Sequence, residues 1–302
     1  MTASFGVRLR HALDTRGPLC VGIDPHAALL DSWGLGDDLA GLDRFAGTVV
    51  EALADRVAVL KPQSAFFERF GSRGIAVLER TVADARAAGA LVILDAKRGD
   101  IGSTVEAYAQ AYLDPASPLF ADALTASPYL GFESLEPLYA AALRHGGGVF
   151  VLAFTSNPEG ASVQRAVAAD GRSVGAGILA RAAARNAAEL AGEFSRATGS
   201  VATAGATDPP SAGSVLGSLG VVLGATLTDL PFDLSALAGP ILAPGLGAQG
   251  AVPADLARIF GAARPAVVPS ISREVLRRGP DIAALRAAAT SAVTDCRTAL
   301  SY

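Results

Sequence analysis

A single closed (β/α)8 barrel over residues 1–302 is the fold this sequence predicts, on three observations. Eight short apolar runs recur with helix-period patterns between them, as expected of parallel strands joined by helical crossovers. With 51% hydrophobic and 18% charged residues, the chain is too apolar for disorder and has ample surface for a sheet enclosed by helices. A polar residue follows nearly every run, and barrels of this type carry their chemistry at the C-terminal ends of their strands. An open doubly wound sheet is the competing architecture. No GxGxxG follows the first run, however; Gly22-Ile23-Asp24-Pro25-His26 stands there instead.

The predicted strands occupy 19–23, 57–60, 91–94, 123–127, 148–154, 221–225, 241–243 and 266–269. Each is short, apolar and bounded by polar or turn-forming residues, as befits a strand buried on both faces. Long stretches between them, notably 66–88, 176–197 and 282–300, are rich in Ala, Leu and Arg with apolar stripes, and read as helices packed on the outside of the sheet. Two connections break the pattern. Residues 157–175 form a long link after the fifth strand, and 198–220 shifts to Gly, Ala, Ser, Thr and Pro, so both read as irregular inserts rather than interdomain linkers.

Charge and cysteine content narrow the function. The 25 basic and 29 acidic side chains leave no electrostatic footprint for nucleic acid or an anionic membrane. Cys20 and Cys296 are far apart, and the three histidines are dispersed, which gives no support to a disulfide scaffold or a metal site. No signal peptide pattern or membrane-length apolar run is visible, so a cytoplasmic protein is expected.

The most informative segment is Leu91-Val92-Ile93-Leu94-Asp95-Ala96-Lys97-Arg98-Gly99-Asp100, an apolar run that ends in two carboxylates bracketing a lysine. A lysine kept protonated by flanking carboxylates can stabilise negative charge and then deliver a proton. The plainer reading is a solvated turn with Asp100 as a helix cap. Other strand ends add Asp24, Lys61, Ser127 and the Thr155-Ser156-Asn157 triplet. Each has a plain alternative: Asp24 before Pro25 suits a turn, Ser127-Pro128 a helix start, and Lys61 a side chain that snorkels out of a buried strand end. After the seventh run, Pro244-Gly245-Leu246-Gly247-Ala248-Gln249-Gly250 offers glycines whose backbone N–H groups can approach an anion, with the Gln249 amide beside them. Arg273 after the eighth run adds a planar fork for phosphate oxygens. Barrels often bind phosphate after strands seven and eight.

With these blocks in view, the chain resembles the orotidine 5'-phosphate decarboxylase family, and its length and its 61–68 and 155–159 segments resemble the longer bacterial subgroup. The carrying residues are Gly22-Ile23-Asp24-Pro25, Lys61-Pro62-Gln63, Asp95 to Ile101 with Thr104, and Ala243 to Gly250, in the order the family has them. The resemblance implies cofactor-free decarboxylation of orotidine 5'-phosphate to UMP and CO2, with Lys97 protonating C6 of the pyrimidine. Lys61, Asp95 and Asp100 would complete an alternating charge network with it. Asp24 and Lys61 would hold the ribose hydroxyls, Ser127 would face the pyrimidine, and Gln249 and Arg273 would hold phosphate with Pro244 and Gly245 alongside. A homodimer is implied as well, because Asp100, Ile101 and Thr104 fall where the family reaches into the partner's site. Two other functions compete. One is a magnesium-dependent sugar-phosphate decarboxylase on the same barrel, whose carboxylates would hold the cation; the other is a nucleotide-binding protein without catalysis.

Overall fold

The computed structural model describes residues 3–198, 215–227, 233–247 and 250–301, with the side chains of 193–198 left aside. Its eight strands are β1 Cys20–Ile23, β2 Val59–Pro62, β3 Leu91–Arg98, β4 Ala123–Ala126, β5 Gly148–Phe154, β6 Leu219–Leu223, β7 Ile241–Pro244 and β8 Val267–Ile271. They form a closed barrel in sequence order. All neighbours pair in parallel, and β8 closes on β1 through Cys20↔Ser270 and Val21↔Ile271.

Successive strand residues point to opposite faces of the sheet, which divides the core in two. Cys20, Val59, Ile93, Phe150, Val222, Leu242 and Val268 fill the barrel interior together with Phe5, Leu9 and Leu13 of the first helix, Phe5–Arg16. That helix closes the N-terminal end of the barrel, where Phe5 meets Phe150 edge-on at 5.9 Å. Arg8 anchors it through Asp122, whose buried carboxylate also accepts from Arg86 and from the Val92 N–H. The other strand residues, among them Val21, Leu60, Leu94 and Val151, pack outward against the helix layer.

Local chemistry sets several helix limits. Asp38 caps Leu39–Leu53 by accepting from Gly41 N, and Asp281 caps Ile282–Leu300 by accepting from Ala284 N. The helical stretch expected over 66–88 is two helices, Ser64–Glu68 and Gly71–Ala87. Arg69 and Phe70 separate them, and the second opens on Gly71 at φ +64°, a conformation that favours glycine and that apolar periodicity does not reveal. In the 157–175 insert lie a 3-10 turn at Pro158–Gly160, a short helix at Ala161–Gln164 and an antiparallel bridge between Val167 and Ser173; the next helix, Val174–Thr198, has begun before residue 175. Of the 198–220 insert, residues 199–214 lie outside the described residues, and its last two residues belong to β6. β3 runs on through the charged motif to Arg98, and β2 continues to Pro62. Lys61, Asp95 and Lys97 are therefore strand residues rather than loop residues.

Candidate active site

The site begins with an irregularity in β3. The strand pairs with β4 at Leu94↔Leu124 and next at Arg98↔Ala126, so four steps along β3 match two along β4. Such a bulge re-aims side chains at the rim of a sheet. Within it Lys97 has φ +49°, a left-handed conformation that costs a lysine roughly 1–2 kcal/mol. The Lys97 N–H donates to Thr125 Oγ1 at 3.0 Å, tying the bulge to β4.

Around the bulge three donors converge on one carboxylate. Asp95 Oδ2 accepts from Lys61 Nζ at 2.9 Å, while Oδ1 accepts from Lys97 Nζ at 2.6 Å and from the Thr125 hydroxyl at 2.9 Å. Gln63 braces the same group: its amide Nε2 donates to the Asp95 carbonyl at 3.1 Å and its Oε1 accepts from Lys97 Nζ at 3.2 Å. The Lys61 and Asp95 side chains are 7% and 10% exposed, whereas Lys97 is 45% exposed and faces the cavity. Burial alone would raise the Asp95 pKa, but the ammonium groups, Lys61 first, outweigh it and hold the carboxyl well below the usual range. Burial likewise favours a neutral Lys61. Asp95 and then Asp24 prevail, holding its pKa above the usual lysine value and keeping it charged.

These groups open into a cavity of about 340 Å³ at the C-terminal mouth of the barrel. Asp24, Lys61, Asp95, Lys97, the Thr155-Ser156-Asn157 triplet, Pro244, Gly245 and Arg273 all line it, so sequence candidates from six strand ends come together. One carboxylate oxygen of Asp24, Oδ1, is buried without a hydrogen-bond partner, as suits an acceptor awaiting a ligand hydroxyl. Gln249 lies outside the described residues. The Gly-rich loop differs from the expected cradle. Gly247 N donates to Ala251 O and Gly250 N to Gly247 O, so these two N–H groups close the loop on itself and the glycines serve its left-handed turns.

Four candidates do not line this cavity: Asp100, Ile101, Thr104 and Ser127. Asp100 Oδ1 accepts from the adjacent Ile101 N–H at 2.8 Å, and Ile101 rather than Asp100 holds the cap position of helix Gly102–Leu113. Ile101 and Thr104 are exposed. The Ser127 N–H donates to the Arg98 carbonyl at 2.8 Å, which fixes the turn beyond the bulge. Thr125 was missed by sequence reasoning, since a threonine inside an apolar run reads as a strand former. Gln63 stood in a recognised block without an assigned role; its position just after a strand-end lysine was the available signal.

Two ammonium groups on one buried carboxylate, at the mouth of a parallel barrel, define a barrel enzyme arranged to stabilise negative charge on its substrate. Comparison with known proteins makes this specific. Residues 17–288 match the Orotidine 5'-phosphate decarboxylase / HUMPS family. The chain is 62% identical over 298 residues to the orotidine 5'-phosphate decarboxylase of Streptomyces coelicolor, covering 98% of both, and 58% identical to that of Salinispora tropica, covering 99% of both. A crystal structure from Streptomyces avermitilis, assigned as an orotidine 5'-phosphate decarboxylase, superposes with a TM-score of 0.88 at 59% identity, covering 100% of this chain and 97% of that one. The chain belongs to the orotidine 5'-phosphate decarboxylase / HUMPS family.

Proposed function

We infer that this chain converts orotidine 5'-phosphate to UMP and CO2 without a cofactor, and that Lys97 delivers the proton to C6. The enzyme is a carboxy-lyase of pyrimidine nucleotide synthesis, in keeping with its family and its full-length relatives. One observation carries the mechanistic reading: the Lys97 ammonium stands 2.6 Å from a carboxylate that a second, buried lysine also contacts, with its side chain open to the cavity.

Loss of CO2 leaves a carbanion at C6 with no suitably placed carbonyl to delocalise it. A fixed cation in a site sheltered from water is the direct remedy. Lys97 supplies that charge and then the proton. The pair formed by Asp95 and Lys61 keeps the field in place, with Thr125 donating to the Asp95 carboxylate and Gln63 accepting from the Lys97 ammonium. Asp24 and Lys61 take the ribose hydroxyls. Arg273 takes phosphate, with Pro244 and Gly245 beside it and Gln249 completing the grip. Phosphate contacts remote from C6 raise the rate when their binding energy organises the site. Ser127 has no part in this scheme.

Asp100, Ile101 and Thr104 act across a homodimer interface in this proposal. Its support is that all three stand outside their own chain's cavity while Ile101, an apolar side chain, is 61% exposed. Cytoplasmic residence belongs to the same reading. Among the described residues no helix is long and apolar enough to cross a membrane, and both cysteines are free and buried.

The magnesium-dependent sugar-phosphate lyase needs carboxylate oxygens available to a hard cation. Both oxygens of Asp95 already receive an ammonium group, which argues for the decarboxylase. An absorbance assay with orotidine 5'-phosphate, run with and without EDTA, tests the choice. Turnover that ignores the chelator is expected; no turnover, or turnover abolished by EDTA, overturns the reading.

A further inference from the structure

We propose that Arg98 and Glu68, neither of which lines the cavity, are positioning residues that set the Lys97 ammonium for catalysis by locking the β3 bulge to the segment that follows β2. The proposal rests on the decarboxylase reading of Lys97. Its basis is the pair of attachments on either side of the bulge. Lys97 is held by Gln63, and the next residue, Arg98, is held by Glu68; both holders belong to the short stretch that begins at the end of β2, one residue past Pro62.

Arg98 is the downstream foot of the bulge, where pairing with β4 resumes at Ala126 and its carbonyl accepts from Ser127 N. Its guanidinium makes three further ties. It forms an ion pair with Glu68 Oε1, donates to Tyr112 Oη at 3.2 Å, and reaches back to the Ala96 carbonyl inside the bulge at 3.3 Å. It also lies 5.6 and 5.7 Å from the ring centres of Tyr108 and Tyr112. Glu68 is fixed in turn, since the oxygen that meets Arg98 accepts from Ser64 Oγ at 2.6 Å across one helical turn. A planar fork can satisfy these directions at once, and an ammonium cannot.

The bulge needs such a lock because Lys97 occupies a left-handed backbone conformation that a lysine leaves readily once released. Relaxation toward a regular strand would swing Nζ away from Asp95 Oδ1 while leaving the ribose and phosphate contacts of the mouth in place. The chemical step should therefore suffer and ground-state binding should not. A displacement of about 1 Å typically lowers rate by about 10²-fold.

The test is steady-state kinetics on Arg98→Met, Arg98→Lys, Glu68→Gln and the Arg98→Met/Glu68→Gln double variant, each beside wild type, with thermal melts to establish folding. Wild-type turnover tests the decarboxylase reading separately from the variants. For Arg98→Met the expected result is a kcat lower by about 10²-fold with KM nearly unchanged. Arg98→Lys should not rescue it. Glu68→Gln, which keeps an acceptor for both partners, should fall between this variant and wild type, and the double variant should be no worse than Arg98→Met, as for two residues acting as one unit. The proposal is overturned if folded Arg98→Met keeps wild-type kcat, if KM alone moves, or if the single losses multiply in the double. Should Arg98→Met fail to fold, the kcat and KM of Glu68→Gln decide: a fall in kcat alone supports the lock, and unchanged kcat rejects it.

Discussion

Replacing Asp95 by asparagine removes the charge on which the site is organised, and its effect on stability can be worked from the contacts. Lys61 is 7% exposed at its side chain and has Asp95 as its hydrogen-bonded counterion at 2.9 Å, with Asp24 a more distant influence. Breaking one side of a buried pair leaves an uncompensated charge and costs about 3–5 kcal/mol. Unfolding entropy of about 2 cal/mol/K per residue implies a fall in Tm of roughly 5–8 °C for a chain of this size. Circular dichroism melts at pH 7 measure it. The pH dependence should change as well. In the wild type the folded Asp95 pKa lies below its unfolded value, so its contribution is present above about pH 4 and lost as pH falls toward the folded value. Lys61 is held above its ordinary value, so its contribution is full below about pH 10.4 and is lost as pH rises through the folded value. In Asp95→Asn, burial becomes the ruling influence on Lys61 and lowers its folded pKa. Stability should then rise with pH in the alkaline range, opposite in sign to the wild-type contribution. A melt within about 1 °C of wild type at pH 7, with the same alkaline slope, would refute this account of the charge network.

Two further substitutions probe the ligand contacts and the assembly. Arg273→Ala should weaken phosphate binding and slow turnover of the nucleotide, while turnover of the phosphate-free nucleoside stays near wild type; equal loss on both substrates would make Arg273 structural. Lys97→Ala and Asp100→Ala dimers should each be nearly inactive. Co-expressed in equal amounts, they should recover activity at about a quarter of all sites, because random pairing makes about half the dimers mixed and each mixed dimer restores one intact site. Mixed dimers confirmed by mass but without recovered activity would return Asp100 to its own subunit's pocket.

The barrel was legible because eight apolar runs are separated by helix-period stretches, and no long-range information is needed to see that pattern. Lys61, Asp95 and Lys97 were legible for a related reason: charge at the end of a buried strand is conspicuous. Their distances were not. The bulge between Leu94 and Arg98 depends on pairing with β4, so spacing in one strand could not show that Lys97 would turn left-handed or that its ammonium would fold back onto Asp95. Thr125 stayed hidden because its hydroxyl gains meaning only when β4 lies beside β3. Asp100 read as a helix cap or a site residue with equal ease, and in the folded chain it neither holds the cap position nor lines the cavity. The glycines at 247 and 250 were recognised as special, but whether their N–H groups face a ligand or close a turn depends on backbone geometry that composition does not encode.

The most direct test of the central claim is the absorbance-monitored decarboxylation of orotidine 5'-phosphate by Lys97→Ala. Its side chain is 45% exposed, so the variant should fold and melt close to wild type. Losing a group that both stabilises the forming anion and donates the proton should lower kcat by more than about 10³-fold. Loss of turnover in a folded variant is the predicted result. Near-normal turnover in that folded protein would contradict the assignment of Lys97 and the mechanism built on it.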